Sequence, residues 1–191
     1  MERIWMKSWQ QDIPTTLTFE HGKKPIHEYL RIRAGEIPNK TAIIFYGREI
    51  SYRELDEASD RFANYLRQTG VKKGDRVAIF MANCPQYVIA HFGTQKLGAI
   101  VCPCSPLFKE MELTYELNDA ETEVLVTWDI LMPIAGKVLA NTKVKKVVIT
   151  NLNDYLPAQP TLPITDTMKI PRQNIPGTDD FMEIVTKGDK T

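Results

Sequence analysis

The stretch from Gly70 to Asn118 constrains the fold most, because it alternates two apolar strands with two helices. Strands are predicted over 76–80 and 99–102, the second short and fully buried, and helices over 85–97 and 109–118. Two such units in succession lay down neighbouring parallel strands, since a parallel connection needs a helical crossover of about a dozen residues. The stretch therefore predicts an α/β fold with a mostly parallel sheet flanked by helices.

Residues outside this stretch extend the same pattern. Pro25 opens a short helix, a strand over 41–45 turns back at Ile50, and strands over 123–127 and 146–150 follow the central stretch. The last of these is the final strand that the sequence predicts. Ser51 and Glu54 have the spacing of a capping box, which predicts a helix from residue 52 to Gly70. Asn83 and Asp129 are the predicted N-caps of two later helices.

The sequence divides into an arm, a domain and a tail, over residues 1–24, 25–150 and 151–191. The arm contains Trp5 and Trp9 without a regular period, so we expect its aromatic side chains to dock on the domain or on a neighbouring subunit. A homodimer through residues 1–24 is the corresponding hypothesis. Five prolines make the tail a predicted linker, a surface wrap or the start of a truncated following domain.

Charge and hydropathy exclude several functions. The chain has 24 basic and 24 acidic residues, which argues against nucleic-acid binding, and Lys143, Lys145 and Lys146 are expected at a solvated edge. No apolar run reaches the 18 to 20 residues, roughly, that cross a bilayer, although peripheral membrane contact stays open. Residues 1–14 are not expected to be a signal peptide.

The three cysteines of the chain lie in apolar segments. Cys84, Cys102 and Cys104 are odd in number, and no histidine follows them at the spacing of a metal site. We therefore expect buried, reduced thiols, no metal and a cytoplasmic location.

The residues by themselves indicate no catalytic centre. The Gly70–Asp75 segment precedes a strand, whereas a phosphate-binding loop follows one, so it is expected to be a turn. His91 lies in an apolar helix and is expected to be a satisfied core or interface histidine. The acidic run Asp56, Glu57 and Asp60 is expected to be the solvated face of its helix.

Several short motifs nevertheless resemble the N-terminal part of the adenylate-forming (AMP-binding) enzymes, most closely the long-chain fatty acyl-CoA ligases and 4-coumarate-type ligases. Their order and spacing agree from about residue 25 to 130. The matching segments are Pro38–Ala42, Ile50–Leu55, Gly70–Ala78, Asn83–Gln86, Gly98–Ala99, Ser105–Leu107, Glu112–Leu113 and Leu117–Asp119.

The resemblance implies a two-step reaction for the parent protein. A carboxylate attacks the α-phosphate of Mg-ATP to give acyl-AMP and pyrophosphate, and the thiol of CoA then displaces AMP. Positioned cations and amides must hold the triphosphate. In the family these groups lie on a Ser/Thr/Gly-rich loop ending in lysine and on later motifs, none of which occurs in this sequence. The chain alone is therefore expected to be inactive, with no catalytic residue and no tightly bound ATP, Mg²⁺ or CoA.

The resemblance also implies that Ser105, Pro106 and Leu107, with the helix start at Asp129, lie near the CoA entrance. The chain departs from the family here, because Ser105 replaces the asparagine usual in the long-chain group and no arginine occurs over 129–136. A loop that shapes the domain boundary is the alternative.

Two functions of different classes remain. The first is the N-terminal fragment of an ATP-dependent ligase that acts on a fatty acid, with aryl or amino acids as the alternative substrates. The second is a free-standing non-catalytic domain for interaction or assembly. An exposed apolar flank would favour the fragment, since a truncated domain has lost a packing partner. The substrate class and acyl chain length are not encoded in these residues.

Overall fold

The computed structural model describes residues 4–10 and 12–189. Two sheets are present in this part of the chain. An antiparallel pair consists of β1 (Thr41–Phe45) and β2 (Arg48–Ser51). A five-stranded parallel sheet has the order β4-β3-β5-β6-β7. Its strands are β3 (Arg76–Phe80), β4 (Ile100–Cys104), β5 (Val124–Trp128), β6 (Lys146–Thr150) and β7 (Asp179–Asp180).

Six α-helices surround the parallel sheet in the described residues. They are α1 (Ile26–Glu36), α2 (Tyr52–Gln68), α3 (Pro85–Lys96), α4 (Glu110–Asp119), α5 (Met132–Val138) and α6 (Phe181–Lys187). Val77 and Ile79 of β3 pack in one core with α2, α3 and α6, whereas Ala78 and Phe80 pack in a second core with α4 and α5. Both faces of the sheet are thus covered, which explains its continuous apolar strands and confirms the predicted fold class.

The helix α2 forms as its sequence predicts. Ser51 Oγ accepts a hydrogen bond from the Glu54 amide at 3.2 Å, and Glu54 accepts one from the Ser51 amide at 2.7 Å. Leu55, Phe62 and Leu66 are buried on one stripe of this helix. The capping box and the amphipathic period together fix where the helix begins and which side it buries.

Both other predicted caps are wrong. Asn83 is exposed, and the N-cap of α3 is the next residue, Cys84, with Pro85 in the first turn as predicted. Proline at this position needs no amide partner, so the helix starts without a side-chain cap. Asp129 is fully buried and accepts hydrogen bonds from other segments of the chain, because it lies at the end of an inner strand.

The prediction of a fully buried strand over 99–102 is also wrong. The strand is β4, it runs from Ile100 to Cys104, and Ile100 is 52% exposed. The physical reason is its place in the sheet, since β4 is the outer strand and pairs with β3 alone. Pro103 fits this position, because proline lacks the amide that an inner strand would need.

The acidic run of α2 is not simply a solvated face. The side chain of Lys96 in α3 is 3% exposed. Its Nζ lies 2.6 Å from Asp56 Oδ1 and 2.8 Å from Asp60 Oδ1. Asp60 also binds Arg31 of α1 at 3.0 Å. This ion-pair cluster joins three helices, and sequence spacing alone could not reveal it because its members lie far apart along the chain.

Residues after Thr150 contribute to the same sheet and core. The strand β7 pairs with β6, and Tyr65 of α2 donates a hydrogen bond to Asp179 at 2.6 Å. Phe181 of α6 is fully buried, with its ring 5.4 Å from that of Phe62. The sequence did not predict β7 and α6, because a proline-rich segment precedes them and because β7, with two residues, is too short to have a periodic pattern. The division of the chain at residues 24 and 150 stays a prediction.

Other expectations concern the surface and the thiols. Cys84 and Cys104 are buried, Cys102 is half-buried, and all three are unpaired thiols, in line with the expectation of buried, reduced cysteines. Lys143 and Lys145 each pair with a glutamate, as expected of a solvated edge. No helix among the described residues is long and apolar enough to cross a membrane.

Candidate functional site

The candidate site is the edge of the sheet where the parallel strands end. The chain leaves β3 toward β4 on one side and later passes to β5 on the other side. The connections after β3 and β5 therefore lie on opposite faces of the sheet, and such a reversal opens a crevice at the carboxyl ends of the strands. Thr127 spans this point, because its hydroxyl donates to the Phe80 carbonyl at 2.8 Å.

Asp129 is the centre of a buried hydrogen-bond network at this edge. Its carboxylate accepts from Asn151 Nδ2 at 2.9 Å, from the Gln173 amide at 2.7 Å and from the Ile130 amide at 2.8 Å. Gln86 Nε2 donates to the Asn151 carbonyl at 2.7 Å. The network holds the loop before β7 against the ends of β5 and β6, so its first effect is to fix the shape of the edge.

A second set of contacts surrounds Asp154, just after β6. Its carboxylate accepts from Thr150 Oγ1, from the Asn151 amide and from Arg172 Nη1, each at 2.8 Å. Arg172 also pairs with Asp180 at the start of α6. Two carboxylates bind this guanidinium and balance its positive charge. Arg172 therefore offers little attraction to a phosphate.

A polar cleft of about 250 Å³ opens beside Arg172. Its walls come from the end of β6, from the loop before β7 and from β7 itself. The lining residues are Ile149, Arg172, Gln173, Asn174, Ile175, Thr178, Asp179 and Asp180. Asp179 already accepts from Tyr65, and Asp180 caps α6 through the Glu183 amide at 2.9 Å. The cleft is thus lined by groups that serve the fold.

The predicted site residues form a tight turn after β4. Leu107 donates from its amide to Ser105 Oγ at 3.3 Å, the Phe108 amide donates to the Ser105 carbonyl at 3.0 Å, and the Leu107 side chain is 83% exposed. One strand, β3, separates β4 from β5, which puts the turn and Asp129 about 10 Å apart along the same edge. That Ser105, Pro106 and Leu107 contact a ligand stays a prediction.

Nucleophilic chemistry is not favoured at this edge. Burial raises the pKa of the Cys84 thiol to about 11 and that of Cys104 to about 12, so both stay protonated at neutral pH. Burial also lowers the pKa of His91. Its Nδ1 is buried without a hydrogen-bond partner among the described residues, and that it is a satisfied core or interface histidine stays a prediction. No group of three or more His, Cys, Asp or Glu side chains in the described part of the chain is placed to hold a metal ion.

The described residues therefore do not fit a complete nucleotide or Mg²⁺ site. Gln86, Asn151 and Gln173 are the residues of the network that sequence reasoning missed. The sequence could have indicated Asn151, because Asn151 and Asp154 directly follow a strand and have the spacing of a capping box. Gln173 contributes through its backbone amide, for which side-chain identity gives no signal.

Comparison with known proteins gives the family. A family model described as AMP-binding enzyme matches residues 30–183. The chain belongs to the AMP-binding enzyme family. It is 36% identical to a long-chain-fatty-acid–CoA ligase of Bacillus subtilis (strain 168) over 171 residues, which cover 88% of this chain and 30% of that protein. The chain thus spans less than a third of the length of this ligase.

Solved structures of proteins described as CoA ligases have the same fold. An anthranilate CoA ligase in complex with anthranoyl-AMP is 26% identical, with a TM-score of 0.65, over 73% of this chain and 28% of its own. A long-chain-fatty-acid CoA ligase from Rhodopseudomonas palustris CGA009, described as putative, is 22% identical, with a TM-score of 0.70. That match covers 89% of this chain and 38% of the other and supports the fold alone.

Proposed function

We propose that the complete protein is an ATP-dependent long-chain fatty acid–CoA ligase and that this chain is its N-terminal part. The similarity to the Bacillus subtilis ligase carries the proposal, because it extends over 88% of the chain. The reaction joins a fatty acid carboxylate to the α-phosphorus of ATP with loss of pyrophosphate. The sulfur of CoA then attacks the acyl carbonyl carbon, AMP leaves, and the thiol proton is released.

The chain alone contributes structure to this reaction and no chemistry. Within residues 4–10 and 12–189 no glycine-rich loop follows a strand, and the arginine at the carboxyl edge, Arg172, is bound by Asp154 and Asp180. ATP, Mg²⁺ and CoA therefore belong to the complete protein in this proposal. A cytoplasmic location is part of it as well and is supported by the buried thiols Cys84 and Cys104.

Acyl-CoA formation tests the proposal. The product of the whole open reading frame is incubated with ATP, Mg²⁺, CoA and palmitate, and the 191-residue chain serves as the control. We expect thioester from the whole protein and none from the control. A whole protein that folds but forms no thioester with any fatty acid of 8 to 20 carbons, roughly, would refute a fatty acid ligase.

Aryl acids are the second candidate substrate class. The anthranilate CoA ligase, at 26% identity, is the observation in its favour. The same assay with anthranilate and benzoate distinguishes the classes, because the ratio of kcat/KM values measures which acid the complete site prefers. We expect the fatty acid to be preferred.

We propose that the turn of Ser105, Pro106 and Leu107 borders the path of CoA. Its support is the 83% exposure of Leu107 and its place after a strand at the carboxyl edge. Replacing Leu107→Asp should raise the KM for CoA several-fold, because a carboxylate there repels the phosphates of CoA. ATP–pyrophosphate exchange takes place without CoA and should not change. Equal effects on both steps would show that the turn acts on folding instead.

The arm supports a proposal of self-association. Ile4, Trp5 and Leu17 are 76%, 62% and 82% exposed, and the described residues of the arm bury no large apolar side chain. We propose that this surface forms a homodimer. Sedimentation of the chain with and without residues 1–24 tests it, and an unchanged molecular mass would contradict it.

A further inference from the structure

The outer face of α4 is apolar where a surface helix is usually polar. Leu113 and Leu117 are fully buried in the core beneath the helix. Met111 and Tyr115 lie one turn apart on the opposite side and are 77% and 69% exposed. The helix thus buries one apolar stripe and leaves a second in water, and an exposed patch of this kind is typical of an interaction surface.

A groove with acidic margins follows the exposed side of α4. We name the side chains of Phe108, Met111 and Tyr115 the α4 stripe. The groove has a volume of about 390 Å³, and Glu112 and Glu116 complete its lining. No ion pair within residues 4–10 and 12–189 involves either glutamate, and α4 itself contains no basic residue. A complementary occupant therefore has apolar side chains with a positive charge beside them.

The arm of the chain has this pattern. Trp5 and Trp9 are exposed on either side of Lys7, which is the one charged residue of segment 4–9. Trp9 Nε1 donates to the Ile13 carbonyl at 2.7 Å, so the arm has local order while its apolar side chains stay in water. Indole rings pack well on tyrosine, phenylalanine and methionine side chains, which are the components of the α4 stripe.

The place where the arm joins the domain favours a contact between two copies. Glu20 pairs with Arg33 of α1 at 3.2 Å, and Tyr29 of α1 donates to the Gly22 carbonyl at 2.6 Å. The helix α1 belongs to the core on the α2 and α3 side of the sheet, whereas α4 covers the other side. The arm would have to pass around the sheet to reach the α4 stripe of its own chain.

We propose that segment 4–9 of one copy binds the α4 stripe of a second copy. In this complex the two tryptophan rings pack on Met111 and Tyr115, and Lys7 lies beside Glu112 and its neighbouring glutamate. The inference rests on the homodimer of the proposed function and names the surface that receives the arm.

The first experiment measures the dimer by sedimentation of the 191-residue chain. Met111→Lys should raise the dissociation constant at least about tenfold, because it puts an ammonium group into the apolar contact. The melting temperature of the monomer should stay within about 1 °C, since the side chain is already in water. Ile44→Lys is the matched control: Ile44 of β1 is 70% exposed and outside the stripe, so this variant should dimerise normally.

The second experiment mixes two variants that do not dimerise alone. Trp5→Ser keeps an intact stripe, and Met111→Lys keeps an intact arm. The mixture should form a dimer, because the arm of the second variant can bind the stripe of the first. Failure of the mixture to associate would overturn a contact between copies and would leave the arm on its own chain.

The third experiment reverses the charges. Lys7→Glu should weaken the dimer several-fold through repulsion by the glutamates of the groove, and Glu112→Lys in the same chain should restore it. A dimer that Lys7→Glu leaves unchanged, or that the second change does not restore, would overturn the predicted orientation of the arm on the stripe.

The outcomes separate this inference from the proposals on which it rests. A chain that stays monomeric at about 0.1 mM would refute the homodimer and the inference together. A dimer that Trp5→Ser breaks and Met111→Lys does not would keep the homodimer and overturn the α4 stripe as its docking site. Ligase activity of the complete protein is measured separately and bears on neither result.

Discussion

Individual residues of this protein act mainly by completing buried polar contacts. Lys96 is the clearest case, because its ammonium group is almost inaccessible and lies between Asp56 and Asp60. The sequence indicated the two aspartates but not their partner, since a lysine at the end of an apolar helix looks like a solvated end. Asp129 was likewise predicted as a cap, and its contact with the Gln173 amide spans 44 positions of sequence. Local sequence patterns cannot predict contacts between residues that lie so far apart along the chain.

Lys96→Met should destabilise the chain by about 2–4 kcal/mol, because it leaves the partly buried Asp56 without its cation and Asp60 with Arg31 alone. The control is Lys145→Met, whose lysine pairs with Glu123 at 2.7 Å in an exposed position. That change should cost less than about 1 kcal/mol. Urea denaturation of both variants measures the difference, and equal losses would contradict the role of the buried cluster.

Two histidines should make the stability depend on pH. Burial lowers the pKa of His27 and of His91 in the folded chain. The unfolded chain therefore binds more protons than the folded chain just below the ordinary histidine pKa of about 6.5. The free energy of unfolding should fall as the pH decreases from 7 to 5. The double variant His27→Gln, His91→Gln should have a shallower slope over this range, and an unchanged slope would contradict the burial effect.

Among the secondary-structure elements, the close packing of α2 against α3 depends on one glycine. A Cβ atom built on Gly93 of α3 would lie 2.8 Å from the Ser59 carbonyl oxygen and 2.8 Å from Phe62 Cδ1 of α2. Glycine at residue 93 therefore permits the two helices to approach. The sequence predicted both helices from capping and period, but it gave no sign that this glycine sets their separation.

Gly93→Ala should destabilise the fold by about 1–3 kcal/mol, because the methyl group meets backbone that cannot move aside without separating the helices. Gly35→Ala is the matched control, since a Cβ on this helical glycine meets nothing within 4 Å. It should stabilise α1 by about 0.5–1 kcal/mol through helix propensity. Thermal unfolding of the two variants should give shifts of opposite sign.

For the whole molecule, the sequence predicted the parallel sheet, its helices and the family. It did so because buried parallel strands, capping boxes and glycine stops are local signals. It missed β7 and α6, since both depend on segments that meet only in the folded chain. The carboxyl edge illustrates the same limit, because its loop is held by a backbone amide and an arginine from beyond the last predicted strand.

The most direct test of the central claim is fatty acid-dependent ATP–pyrophosphate exchange by the product of the whole reading frame. It isolates the adenylation step and does not need CoA. We expect label to enter ATP when palmitate is present, and none with the 191-residue chain. A folded whole protein that exchanges no label with any carboxylic acid would show that it retains the fold of the AMP-binding enzymes without their chemistry.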